Sequence, residues 1–142
     1  MRELFPAAYG SSQPFEVQVG ETFEVVSVPE QDALQAVSLL NHFRPHPLGA
    51  ALACHGEWTL ILPPGSAWQM EWPQPHWRYM ADGLLLVPSL SAPEHEPLHW
   101  VRTGNAEGRV FSAPMLLHAA LPLLRPAVPL LSLVPSLPDV RI

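Results

Sequence analysis

The stretch from Leu52 to Trp68, reading L-A-C-H-G-E-W-T-L-I-L-P-P-G-S-A-W, constrains the fold more than any other part of the chain. It reads as a strand, a tight turn at His55-Gly56, a second strand, and a stop at Pro63-Pro64-Gly65. The arms run from Gly49 to Ala53 and from Trp58 to Leu62. The intervening Cys54-His55-Gly56-Glu57 supplies the glycine that a short hairpin loop favours. A strand wetted on one side would alternate apolar and polar residues. These arms are apolar almost throughout, so the hairpin should be central, with both faces covered. Pro64-Gly65 fits a type II turn, with proline at its second position and glycine at its third.

Other elements should build around this hairpin. Phe15, Val17 and Val19 alternate with polar residues as in a half-buried strand. Thr22 to Val28 is rich in β-branched residues and predicts a second strand. Pro29 can open a helix. From Glu30 to about His42, Ala33, Leu34, Val37, Leu40 and Phe43 recur at spacings of three and four. Glu30 and Asp32 fall in the first turn, where the helix dipole favours acids. Pro45 and Pro47 end the helix. Residues 66–81 read as ordered coil or a short strand. After a turn at Asp82-Gly83, Leu84 to Val87 reads as a buried strand and Leu98 to Arg102 as an edge strand. Ser112 is a candidate N-cap, with Pro114 in the first turn of a helix running to Leu121 or Leu124. The expected fold is α+β: an antiparallel sheet of five to six strands with two packed helices. Residues 1–121 should form one domain with a loose arm over 1–14, followed by a Pro/Leu-rich tail over 122–142.

Composition narrows the class. With 48% hydrophobic residues a chain of 142 can bury a core without disulfides or metal. Eighteen prolines in so apolar a chain indicate sharply cut loops rather than disorder. The basic residues are all arginine, and with abundant Ala, Leu, Pro and Trp they suggest a GC-rich bacterial genome. The formal charge is −6 and the seven arginines are scattered singly, which argues against a nucleic-acid stripe. Cys54 is the single cysteine, so no internal disulfide forms. The first residues lack a signal peptide's apolar core. The run from Met115 to Val134 is broken by Pro122, Pro126 and Pro129 and by Arg125, which argues against a membrane span. The expectation is a cytoplasmic protein.

Chemical motifs are sparse. His42 and His46, and likewise His95 and His99, have the four-residue spacing of helical metal ligands. Prolines at 45, 47, 93 and 97 disfavour a helix through either pair. No C-x-x-C or H-E-x-x-H accompanies them, and tetrahedral sites need four converging ligands. Loop histidines are the plainer reading, with His95 and His99 kept as candidate ligands. Cys54 and His55, adjacent on a strand, would point to opposite faces and cannot pair as thiol and base. Neither a nucleophile elbow nor a phosphate-binding glycine loop occurs.

Two features are more suggestive. Trp68, Trp72, Trp77, Tyr79 and Trp100 could line a ligand pocket or anchor an interface, although tryptophans commonly serve as core. The tail carries Leu123, Leu124, Val128, Leu130, Leu131, Leu133 and Val134 with few charges. It should either wrap its own domain or form a contact surface, for a partner or a second copy.

From Thr22 to Leu121, the order V-V-S-V-P-E, helix, G-A-A-L-A, turn, W-T-L-I-L-P-P-G-S-A-W, then G-L-L-L-V-P-S and L-H-W-V, resembles one known group. It is similar to the small prim-pol domains of actinobacteria, the N-terminal domains of bifunctional DNA primase/polymerases. The resemblance implies two divalent metals, Mg²⁺ or Mn²⁺, held by a paired acidic motif, a histidine beside the next motif and a third acid. Glu30, His55 and Asp82 are the positions that match. No strand carries an Asp-x-Asp or Asp-x-Glu pair, so the chain resembles a degenerate member without the metal site. Three readings follow. The first is a non-catalytic prim-pol-like module for protein interaction or regulation, acting as a homo-oligomer or on a partner. The second is a nucleic-acid-processing enzyme or accessory factor using Glu30, His55 and Asp82. The third is a small-molecule binding module with a tryptophan-lined pocket.

Overall fold

The computed structural model describes residues 1–67, 70–72 and 76–124. These form an α+β fold with three helices and two antiparallel sheets. The strands are β1 (Phe15–Val19), β2 (Glu24–Pro29), β3 (Ala51–Cys54), β4 (Glu57–Leu62), β5 (Arg78–Met80), β6 (Gly83–Val87) and β7 (Leu98–Arg102). The helices are α1 (Ala7–Gly10), α2 (Glu30–Leu39) and α3 (Pro114–Ala120), the last running into a 3-10 turn at Leu121–Leu123.

The larger sheet has the order β5-β2-β4-β3-β7, and the smaller pairs β1 with β6. The hairpin β3-β4 lies inside the larger sheet, so β2 and β3 run parallel on either side of β4 with α2 as the crossover. His55 and Gly56 both have positive φ, 51° and 82°, as a two-residue hairpin turn of the right twist requires.

Alternation along β2 and β4 divides the core into two layers. Val26, Val28, Trp58, Leu60 and Leu62 pack with Ala33, Ala36 and Leu40 of α2, Leu117 and Ala120 of α3, and Trp72 and Trp77. On the opposite face Val25 and Ile61 pack with Phe5, Phe23, Val19 and Val87. Each such buried aliphatic contributes about 1.5–3 kcal/mol relative to exposure. Ser27 and Thr59 face each other in register on that second side, and their hydroxyls bond at 3.1 Å. The expectation of a central hairpin with both faces covered matches this three-layer arrangement.

Several elements differ from expectation. The strands are shared between two sheets, because β6 leaves the larger one to pair with β1, Phe15 opposite Val87. Leu84 to Val87 is not buried throughout: Leu85 packs inward and Val87 is fully buried, while Leu84 and Leu86 are 59% and 50% exposed. A strand at the surface buries only alternate residues, whatever its composition. Leu34 of the expected helical stripe is exposed, and Ala36 takes a core position instead. Residues 1–14 are not a loose arm. Phe5 is fully buried, with its ring 5.1 Å from that of Phe23 and 5.7 Å from that of Trp100. Ser112 does not cap α3, whose N-cap is Ala113. Its hydroxyl instead accepts from the Gly49 N–H at 3.0 Å. Among the described residues no helix is long and apolar enough to cross a membrane.

Candidate functional site

Glu30 and His55 do come together. The start of α2, the β3-β4 turn, the loop ahead of β7 and β7 itself enclose a cleft of about 390 Å³. Glu57, Glu94, Glu96 and His99 line it with them, over a floor that includes Trp58 and Trp100. Glu57 is paired with Arg78. His99 shares a 2.6 Å bond between Nδ1 and the Glu96 carbonyl, and His95 lies 3.7 Å from the Glu96 carboxylate. Asp82 is elsewhere. It sits between β5 and β6, beside Gly20 in the turn that leads from β1 into β2. Glu30 directly follows the other end of that strand. Six residues separate the two ends, about 20 Å of extended chain. Glu30, His55 and Asp82 therefore do not converge. Among the described residues no group of three or more His, Cys, Asp or Glu side chains could hold a metal ion, His95 and His99 included. The residues present do not fit a Mg²⁺ or Mn²⁺ pair.

The aromatic residues serve the core. The Trp72 and Trp77 rings stack 5.8 Å apart at 8°, and Trp72 meets His118 edge-on at 5.4 Å. The Trp77 indole N–H donates to Asp32 at 2.8 Å, tying the segment before β5 to the first turn of α2. Tyr79 donates to the buried Glu24 at 2.6 Å, and the Gly65 N–H reaches the other carboxylate oxygen at 2.7 Å. Burial, then the Glu24 bond, raises the Tyr79 pKa well above that of an ordinary tyrosine. Trp100 donates to the Pro88 carbonyl at 2.8 Å. Trp68 lies outside the described residues. Of the expected tail surface, Leu123 is exposed and Leu124 packs against the helical-side core. Val128, Leu130, Leu131, Leu133 and Val134 lie outside the described residues.

A different surface has the chemistry of a docking site. The loop after α2, the end of β4 and the approach to α3 enclose a groove of about 590 Å³. Phe43, Pro45, Pro47, Pro63, Phe111 and Leu116 give it apolar walls, and Arg44 and Arg109 supply charge. Phe43 is 43% and Phe111 37% exposed, so both rings remain available. Among the described residues no Asp or Glu lines the groove. No carboxylate among the described residues pairs with either arginine.

Its walls are held by a dense set of bonds. Ala50 N–H donates to Val110 O at 2.9 Å, Ser112 N–H to Ile61 O at 2.6 Å, and Ala113 N–H to Pro47 O at 2.7 Å. The Asn105 side chain donates to His46 O at 2.9 Å and accepts from the Glu107 and Arg109 N–H groups, each at 2.9 Å. His46 uses both ring nitrogens. Leu48 N–H donates to Nδ1 at 3.1 Å, which makes Nε2 the donor to Val37 O at 3.0 Å. Arg102 donates to Leu48 O at 3.2 Å from behind the same loop, and burial lowers its pKa from the usual value. Fixed walls lower the entropy lost when a ligand binds.

Comparison with protein-family models, with curated proteins and with solved structures returned no match to this chain.

Arg44, Arg109 and Phe111 escaped sequence reasoning because nothing local links them. The two arginines stand 65 positions apart, each a single charge in its own segment. One usable signal was present: Pro45, Pro47 and Pro63, the prolines that stop α2 and β4, all border the groove.

Proposed function

We propose that this protein is a non-catalytic, prim-pol-like α+β module that acts by binding another protein. The groove between the loop after α2 and the start of α3 is its docking surface. One observation carries this reading: two half-exposed phenylalanines and two arginines that pair with no carboxylate among the described residues share a rigid, proline-walled groove. Aromatic and arginine side chains dominate the energetics of protein interfaces. The separation of Asp82 from Glu30 and His55 supports the non-catalytic half of the proposal. The competing reading, metal-dependent nucleotidyl transfer, draws on Glu30 and His55 sharing the acidic cleft. Four glutamates there would repel a phosphate backbone.

The test is site-specific photocrosslinking in the native cell, with a benzophenone side chain at Phe111 and, as control, at Glu94 in the acidic cleft. A discrete adduct with another protein from position 111 and none from position 94 is the expected result. Adducts from neither position, or equally from both, would refute the assignment. So would Mn²⁺-dependent primer extension that disappears in Glu30→Gln.

A further inference from the structure

We infer, building on the docking reading above, that the groove takes an extended peptide segment with an apolar side chain flanked by carboxylates. Charge complementarity is the first argument. A protein of net charge −6 places two of its seven arginines on one groove, and none of the acids among the described residues lines it. Both arginines are exposed, and no carboxylate among the described residues pairs with them.

The second argument is orientation. Arg44 donates from Nη1 to its neighbours' carbonyls, Asn41 O at 2.6 Å and Phe43 O at 2.8 Å. That holds the guanidinium in place and leaves the remaining N–H groups of the fork for an incoming carboxylate. His46 cannot share this task, because both of its nitrogens are engaged with backbone. Recognition of negative charge therefore falls to Arg44 and Arg109.

The third argument concerns the walls. Pro45, Pro47 and Pro63 have no backbone N–H, so these parts of the lining present ring hydrocarbon and no backbone donor. The inferred segment lays its apolar side chain against these walls and offers a carboxylate to each cation. A nucleic-acid strand is a poor match, since two cations release few counterions and four glutamates occupy the other cleft.

Fluorescence anisotropy on the full chain tests this with two labelled peptides, Asp-Leu-Phe-Leu-Asp and Lys-Leu-Phe-Leu-Lys. The aspartate peptide should bind and the lysine peptide should not. Arg109→Gln should weaken binding roughly five-fold, as should Arg44→Gln, the scale of a partly exposed ion pair. Arg2→Gln, at a residue that does not line the groove and stacks on Tyr9, should leave binding unchanged. Raising salt should weaken the aspartate complex through screening. Arg44 also braces its own loop, so Arg109→Gln is the cleaner variant.

Equal binding of both peptides would overturn the charge assignment and leave the docking reading standing. Failure of both peptides, with position 111 crosslinking instead to residues 125–142 of its own chain or to a second copy, would overturn the inference by naming another occupant. Failure of both peptides with no adduct at all would remove the docking reading as well.

Discussion

Gly49→Ala tests how the groove is held together. An added Cβ would fall on the Val110 carbonyl, 2.5 Å from its carbon and 2.8 Å from the Phe111 oxygen. All of these are backbone atoms, so no side-chain rotation relieves the clash. The chain can accommodate the methyl only by separating residues 48–50 from 110–112. That breaks the bonds from Ala50 N–H to Val110 O and from Gly49 N–H to the Ser112 hydroxyl. Gly49 and Ala50 are both buried, so each donor loses its partner away from water. An unmatched buried polar group costs about 1–3 kcal/mol, so the pair costs about 2–6 kcal/mol. At roughly 3 °C per kcal/mol for a domain of this size, the melting point should fall by about 6–18 °C. Differential scanning calorimetry, or urea unfolding followed by tryptophan fluorescence, reads this directly. Gly10→Ala, where a Cβ meets nothing within 4 Å, is the control. If both variants melt within about 2 °C of the parent, the close approach does not hold the groove as described.

Other outcomes follow from the same structure. Trp72→Ala should destabilise the domain by about 3–5 kcal/mol in denaturant unfolding, because the ring is core; lost ligand binding at unchanged stability would favour a tryptophan pocket instead. His46→Ala removes the clip between Val37 O and Leu48 N–H and should cost about 1–3 kcal/mol; hydrogen exchange should report faster opening at Leu48. Tyr79 titrates above its unfolded value, so its stabilising bond to Glu24 is fully present below about pH 10 and fades as pH rises further. Tyr79→Phe should therefore be less stable at pH 7 and show a shallower loss of stability above pH 10 than the parent.

The hairpin was legible because its signal is local. Apolar continuity over Leu52 to Leu62 and a glycine at the turn suffice to place β3 and β4 at the centre. The same run of leucines misled at Leu84 and Leu86, since composition cannot say which strand leaves the main sheet for a surface ribbon. The 1–14 segment misled for a related reason: glycine and serine marked it as loop, but Phe5 and Ala8, with Met1 and Leu4 beside them, pack into the core and anchor it. Ser112 has the chemistry of an N-cap, and a long-range demand from Gly49 took its hydroxyl. The groove was the least legible part. Its two arginines and two phenylalanines come from segments brought together by tertiary pairing, with no periodicity to connect them. Of the three positions the resemblance matched, Glu30 and His55 share a cleft because the β3-β4 turn and the start of α2 lie at the same end of adjacent strands, with Glu30 N–H bonded to Gly56 O at 3.0 Å. Asp82 closes a turn at the far end of β2.

The most direct measurement is an amide chemical-shift map of the ¹⁵N-labelled full chain titrated with Asp-Leu-Phe-Leu-Asp. The account predicts saturable shifts concentrated at residues 43–48 and 109–113, with residues 53–58 and 94–101 unmoved. Shifts confined to the acidic cleft, or no shifts at saturating peptide, would contradict it.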